Sequence, residues 1–94
     1  MKNIYVFTLN GCSHCAYIMG KLKELTIPFH DVEITLNRQL WDKIVLQTGD
    51  DSTPTIFIQD DKDGSGLVYT PGRDFQSPDE IIEIIKNQYT EKGG

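Results

Sequence analysis

The sequence predicts a single α/β domain: a four-stranded mixed sheet with elements in the order β-α-β-α-β-β-α and helices on both faces. Three observations predict it. Short runs of β-branched and aromatic residues alternate with stretches of helical period through the first half of the chain. A strand–helix–strand unit of this kind closes as a right-handed crossover, which makes its strands parallel. The last two strands are joined by a short segment rich in Asp and Gly, the mark of an antiparallel hairpin. Length agrees, because 94 residues leave room for one domain.

The first strand is Ile4-Tyr5-Val6-Phe7-Thr8-Leu9. It shows no polar alternation, so it is expected to be buried on both faces. Asn10-Gly11 breaks it. From Ser13 to Leu25 the period changes, and Cys15, Ile18, Leu22 and Leu25 fall on one helical stripe. Lys21 and Lys23 sit late in that helix, where cations suit the dipole. Pro28 ends the connection. Residues 29–34 alternate and predict a second, more exposed strand. A helix over 38–48 presents Leu40, Trp41, Ile44 and Val45 as a broad apolar face, with Gly49 placed as its C-terminal cap. Thr55-Ile56-Phe57-Ile58 is the third strand, 59–66 a turn segment, and Leu67-Val68-Tyr69-Thr70 the fourth strand. Ser77-Pro78-Asp79-Glu80 starts the last helix: a Ser cap, Pro at the first helical position, acids in the first turn. Ile81, Ile82, Ile85 and Tyr89 give it a buried face, and residues 91–94 read as a frayed tail.

Composition narrows the function. Nine Lys and Arg against fourteen Asp and Glu give a formal charge of −5. That argues against nucleic-acid binding and against docking on an anionic membrane. At 38% hydrophobic and 24% charged, the chain is apolar enough for a packed core. The run at 4–9 is too short to span a bilayer, and Asn10-Gly11-Cys12 stands where a signal-peptidase site would need small residues. A cytoplasmic protein is expected. Its two cysteines are three residues apart, so a disulfide between them would close a tiny loop and stabilise little.

The Cys12-Ser13-His14-Cys15 stretch carries the chemistry. A C-x-x-C beside a βαβ pattern reads as a redox motif. Cys12 falls at the turn out of a buried strand and at the positive end of the first helix, where free N–H groups favour a thiolate. Cys15 lies one turn later on the apolar stripe, less exposed and close enough to attack a mixed disulfide at Cys12. Cys12 is therefore the expected nucleophile and Cys15 the resolving thiol. His14, between them, is expected to stabilise the Cys12 thiolate further. Other readings fall short. A closed zinc site needs four ligands, and only His14 and His30 could help. The Asp61-Lys62-Asp63-Gly64 stretch suggests a calcium loop, but Gln59 and Thr70 stand where its first and last ligands belong. His30 reads as a strand residue and Trp41 as helix packing. No metal is expected.

The element order, the motif after the first strand and Thr53-Pro54 just before the third resemble the thioredoxin fold. Size and the stretch Gln47-Thr48-Gly49-Asp50-Asp51-Ser52-Thr53-Pro54-Thr55-Ile56-Phe57-Ile58 are most similar to glutaredoxins, over roughly residues 3 to 88. The resemblance implies that Pro54 is a cis-proline facing the active site, with the Thr53 backbone free to pair with a substrate. It also implies that Gly72, Arg73 and Asp74 hold the γ-glutamyl end of glutathione. Three features depart from the family. No cation precedes the motif, where Leu9-Asn10-Gly11 stands. No valine separates Thr53 from Pro54. Trp41 falls where a polar contact to the glycine carboxylate is usual, leaving Arg38 to substitute. Thioredoxins differ too, with Trp where this chain has Gly11 and a buried Asp where it has Val6. The implied function is a monomeric dithiol oxidoreductase that reduces protein or glutathione mixed disulfides, with glutathione as co-substrate. The alternatives are a thioredoxin-like hydrogen donor recharged by a flavoprotein reductase, and a glutathione-dependent [2Fe–2S] carrier, suggested by Ser13 after the first Cys.

Overall fold

The computed structural model follows the predicted order: β1 (Lys2–Thr8), α1 (Ser13–Glu24), β2 (His30–Glu33), α2 (Arg38–Thr48), β3 (Thr55–Asp60), β4 (Gly66–Tyr69) and α3 (Pro78–Gly93). The structure describes residues 2–62 and 64–93, with side chains as far as 89. Asp63 of the predicted turn and Gly94 of the predicted tail lie outside the described residues. Helix α3 continues to Gly93, through most of the stretch read from sequence as frayed.

The sheet order is β2-β1-β3-β4. β1 is central and first in sequence. It pairs in parallel with β2, Phe7 opposite Val32, and antiparallel with β3, Phe7 opposite Thr55. β4 adds an antiparallel edge. The ends of β1 and β2, the start of β3 and the end of β4 therefore meet at one end of the sheet. Connections at that end gather the motif and the proline.

Both faces of β1 are covered, as its apolar run predicts. Ile4 and Val6 enter a core with Ile18 and Leu22 of α1, Ile56 and Ile58 of β3, and Ile81, Ile82 and Ile85 of α3. Phe7 enters the other, with Val32, Ile34, Val68, and Trp41 and Ile44 of α2. Each fully buried aliphatic side chain contributes about 1.5–3 kcal/mol of transfer free energy. Two stripes are narrower than expected. Leu40 of α2 is 43% exposed and Leu25 is 42% exposed. Helix α2 lies over one sheet face alone, so Trp41 and Ile44 are buried against it, Val45 packs at its edge, and Leu40 is left outside. Leu25 stands outside the helix as its C-cap.

Local capping explains the helix ends. After α1 the Thr26 N–H bonds the Lys23 carbonyl (3.1 Å) and the Ile27 N–H the Leu22 carbonyl (2.9 Å). This Schellman pair turns the chain at Thr26, which holds φ +59°. Gly49 ends α2 at φ +73°, as predicted. At α3, the Ser77 hydroxyl accepts the Glu80 N–H (3.4 Å) while Glu80 Oε1 accepts the Ser77 N–H (3.1 Å), a capping box. β4 opens on Gly66, where an added Cβ would strike the Phe57 ring.

Candidate active site

β1 ends at Thr8, and the chain turns through Asn10-Gly11, with the Cys12 N–H on the Leu9 carbonyl (3.0 Å) and Gly11 at φ +87°. That turn delivers Cys12 to the N-cap of α1. Its Sγ accepts the Cys15 N–H at 3.2 Å, the bond that a Ser or Asp cap would ordinarily accept. Cys12 and Cys15 are joined by a disulfide, with Cα atoms 5.3 Å apart. Cys15 is 1% exposed, packed on the predicted stripe, whereas Cys12 is half-buried. The sulfur that a substrate can reach is that of Cys12. His14 is exposed beside it.

The second wall is the segment before β3. The Thr53–Pro54 peptide is cis, as the resemblance implies. Pro54 is buried, and the Thr53 hydroxyl lies 3.9 Å from Cys12 Sγ. Thr55 Oγ1 donates to the Ser52 carbonyl (2.7 Å), and the Ser52 N–H donates to Asp50 Oδ1 (2.8 Å), so the segment is pinned at both ends. Hydrogen bonding from Ser52 holds the Asp50 carboxyl below its ordinary range.

Gly72, Arg73 and Asp74 form a turn of their own. Gly72 holds φ +87°. The Asp74 carboxylate accepts the Thr70 N–H (2.7 Å) and Arg73 Nε (2.8 Å), and Arg73 Nη2 reaches the Val68 carbonyl (2.8 Å). Burial works to raise the Asp74 carboxyl. Hydrogen bonds from Arg73 and Thr70, with the Arg73 charge, outweigh it and hold the group below its usual value. Asp74 in turn raises Arg73. Electrostatic attraction between Arg73 and Asp50 links this turn to the proline segment. Arg38 is exposed in the first turn of α2, and among the described residues no hydrogen bond or ion pair ties it to the others.

Sequence reasoning passes over Glu33. At the end of β2 its carboxylate accepts the Asn10 N–H (3.3 Å), two residues before Cys12, and both the N–H and hydroxyl of Thr35. The Thr35 hydroxyl is the main cause holding Glu33 below the usual carboxylate range. A parallel neighbour whose last residue is acidic was the available signal, since it ends at the motif's end of the sheet. Tyr17 and Asp79 are also missed. The Tyr17 hydroxyl donates to Asp79 (2.7 Å) and ties α1 to the start of α3.

A central strand delivering a C-x-x-C to a helix N-terminus, faced by a cis-proline, defines a thioredoxin-fold dithiol protein. The family comparison is more specific: the glutaredoxin profile matches residues 4–62, and the chain belongs to the glutaredoxin family. Family and cysteine pair together support thiol–disulfide oxidoreductase chemistry. No curated protein matches the chain. Solved structures agree on the fold. Thioredoxin 1 from Thermosipho africanus superposes with a TM-score of 0.61 at 21% identity, over 98% of this chain and 99% of that one. Chlamydomonas reinhardtii thioredoxin f2 gives 0.56 at 20% identity, over 94% and 78%. The first thioredoxin domain of mouse protein disulfide-isomerase A4 gives 0.54 at 22%, over 92% and 61%. Among the described residues, no helix is long and apolar enough to cross a membrane, and no three His, Cys, Asp or Glu are grouped to hold a metal ion.

Proposed function

We propose that the protein is a glutaredoxin-type oxidoreductase that reduces disulfides of proteins and mixed disulfides with glutathione. The observation that carries this is the asymmetry of the pair: Cys12 reachable and hydrogen-bonded at the helix cap, Cys15 buried beneath it. In the reduced protein the Cys15 N–H and the Thr53 hydroxyl are donors to the Cys12 sulfur, which favours thiolate over thiol. That thiolate attacks a substrate disulfide, forming a mixed disulfide and releasing one substrate thiolate. Cys15 then attacks Cys12, the second substrate thiol leaves, and the Cys12–Cys15 disulfide closes. Two glutathione molecules return the dithiol and leave as glutathione disulfide. Pro54 shapes the wall where substrate backbone lies along Thr53. Gly72, Arg73 and Asp74 are the family-matched positions for the γ-glutamyl end of glutathione, and Arg38 substitutes for the family's polar contact to the glycine carboxylate, whose position Trp41 occupies.

The test pairs two variants with two recycling systems. Cys12→Ser abolishes disulfide reduction. Cys15→Ser accumulates a substrate adduct on Cys12, visible by intact mass, because attack proceeds and resolution does not. Turnover is expected with glutathione and glutathione reductase. Turnover only with thioredoxin reductase would replace the glutathione reading with that of a thioredoxin-like donor. Visible charge-transfer bands in the purified protein, lost in Cys12→Ser, would move it to cluster carriage.

A further inference from the structure

We propose that this site selects disulfides held in basic polypeptide segments, flanked by Lys or Arg. The inference rests on the exchange chemistry proposed above for Cys12 and Cys15, and concerns what approaches them.

The connections at the motif's end of the sheet are residues 9–14, 33–38, 49–54 and 70–76. Their charged side chains are Glu33, Arg38, Asp50, Asp51, Arg73 and Asp74, with His14 titratable. Glu33 holds the turn that presents Cys12, through Asn10. Asp51 is exposed two residues before Thr53. Consecutive Cα atoms are about 3.8 Å apart, so its Cα lies within about 7.6 Å of that of Thr53. The Thr53 hydroxyl is itself 3.9 Å from Cys12 Sγ. Asp50 is one residue further back, anchored to Ser52. Asp50 and Asp51 thus stand on the segment that touches Cys12, and below physiological salt, where the Debye length exceeds its value of about 8 Å at 0.15 M, their field extends to a substrate there.

The cations do not balance them. Arg73 is paired with Asp74 through Nε and Nη2, the latter at 2.7 Å, and Nη2 also donates to the Val68 carbonyl. The turn before Cys12, Leu9-Asn10-Gly11, carries no cation. Arg73 also attracts Asp50, yet the four carboxylates of Glu33, Asp50, Asp51 and Asp74 still outnumber the two guanidiniums of Arg38 and Arg73, in a chain whose overall charge is also negative, at −5. Carboxylates are ionised at neutral pH, and hydrogen bonds hold Glu33 and Asp50 further below their ordinary range. A rim of this sign raises the encounter rate with cationic segments and lowers it with anionic ones.

Two synthetic peptides with the same internal disulfide test this, one flanked by lysines and one by glutamates. The protein is reduced with dithiothreitol, desalted and mixed with each peptide in single turnover. Its dithiol supplies both electrons, so each event converts one peptide disulfide to two thiols and closes Cys12–Cys15. Each rate is divided by that peptide's rate with dithiothreitol, whose only charge is that of its reacting thiolate, so the ratio isolates the charges of the protein's rim. At low salt the lysine peptide is expected to react about fivefold faster or more. At 1 M salt, where the Debye length is about 3 Å, the ratio should approach one. Asp51→Lys and Asp50→Asn should each narrow it. Equal normalised rates at low salt would overturn the selection and leave the exchange reading standing. So would a preference that survives high salt or both substitutions. Reduction of neither peptide would overturn the exchange reading, and the selection with it.

Discussion

The two faces of the sheet are built differently. Under α1 and α3 the core is larger and mainly aliphatic: Val6, Ile18, Leu22, Ile56, Ile81 and Ile85 are each 0% exposed, with Phe75 and Ile82 at its margin. Under α2 it is smaller, richer in aromatic side chains and, apart from Phe7, less completely closed. Trp41 is 5% and Ile44 6% exposed, and Tyr5 and Phe57 are only partly buried. Beyond the reach of α2, His30, Tyr5 and Phe57 lie side by side across three strands, with His30 stacked on Tyr5 at 4.8 Å between ring centres. The redox helix belongs to the closed face. A half-buried sulfur can be held at a fixed place only if the helix under it does not shift, and two helices packed on one face supply that restraint.

The largest test of this contrast is a pair of truncations. Ile56→Ala should cost about 4–5 kcal/mol in urea denaturation and Ile44→Ala about 2–3, the upper and lower parts of the range for such cavities. Equal losses would mean the open face is packed as tightly as the closed one. Gly66→Ala should cost about 1–3 kcal/mol, because its methyl enters the space of the Phe57 ring. Adding Phe57→Leu should recover part of that loss, and no recovery would place the clash elsewhere. Acid sharpens the comparison through the turn that leads to Phe75 in the closed core. The Asp74 carboxyl is lowered in the folded protein, so it stabilises the fold above its unfolded value, about 3.9, and that contribution disappears as pH falls through the folded value. Asp74→Asn should be less stable than the parent at pH 7, and the gap should shrink below pH 4. The smallest effect is expected at Thr26, a β-branched residue at φ +59°. Thr26→Gly should raise stability by about 1 kcal/mol.

Much of this was legible in the residues. β1 announced its two-sided burial by lacking alternation, and α3 its start by Ser77, Pro78 and Glu80. The motif and the proline, read with the resemblance, located the two walls around Cys12. What local patterns could not supply was set by distant partners. The place of β1 between β2 and β3 depends on pairings such as Phe7 with Thr55, which no short window contains. Leu40 looked like core because helical period shows which residues share a stripe, and not how wide a stripe the neighbouring layer covers. Arg73 and Asp74 looked like ligand contacts. Their bonds to Val68, Thr70 and each other give them a place in the turn as well.

The helix cap at Cys12 joins electron transfer to folding. The same sulfur that exchanges with substrate also accepts the N–H of Cys15, and a thiolate accepts such a bond more strongly than a disulfide sulfur does. Reduction and unfolding thus form the four sides of one thermodynamic square. Whatever extra grip the cap gains on reduction appears twice, as greater resistance of the dithiol form to denaturant and as a stronger tendency of the folded disulfide to take electrons. A denaturation curve of each redox form therefore measures how far the fold moves the potential of the pair from that of the same two cysteines in an unfolded chain.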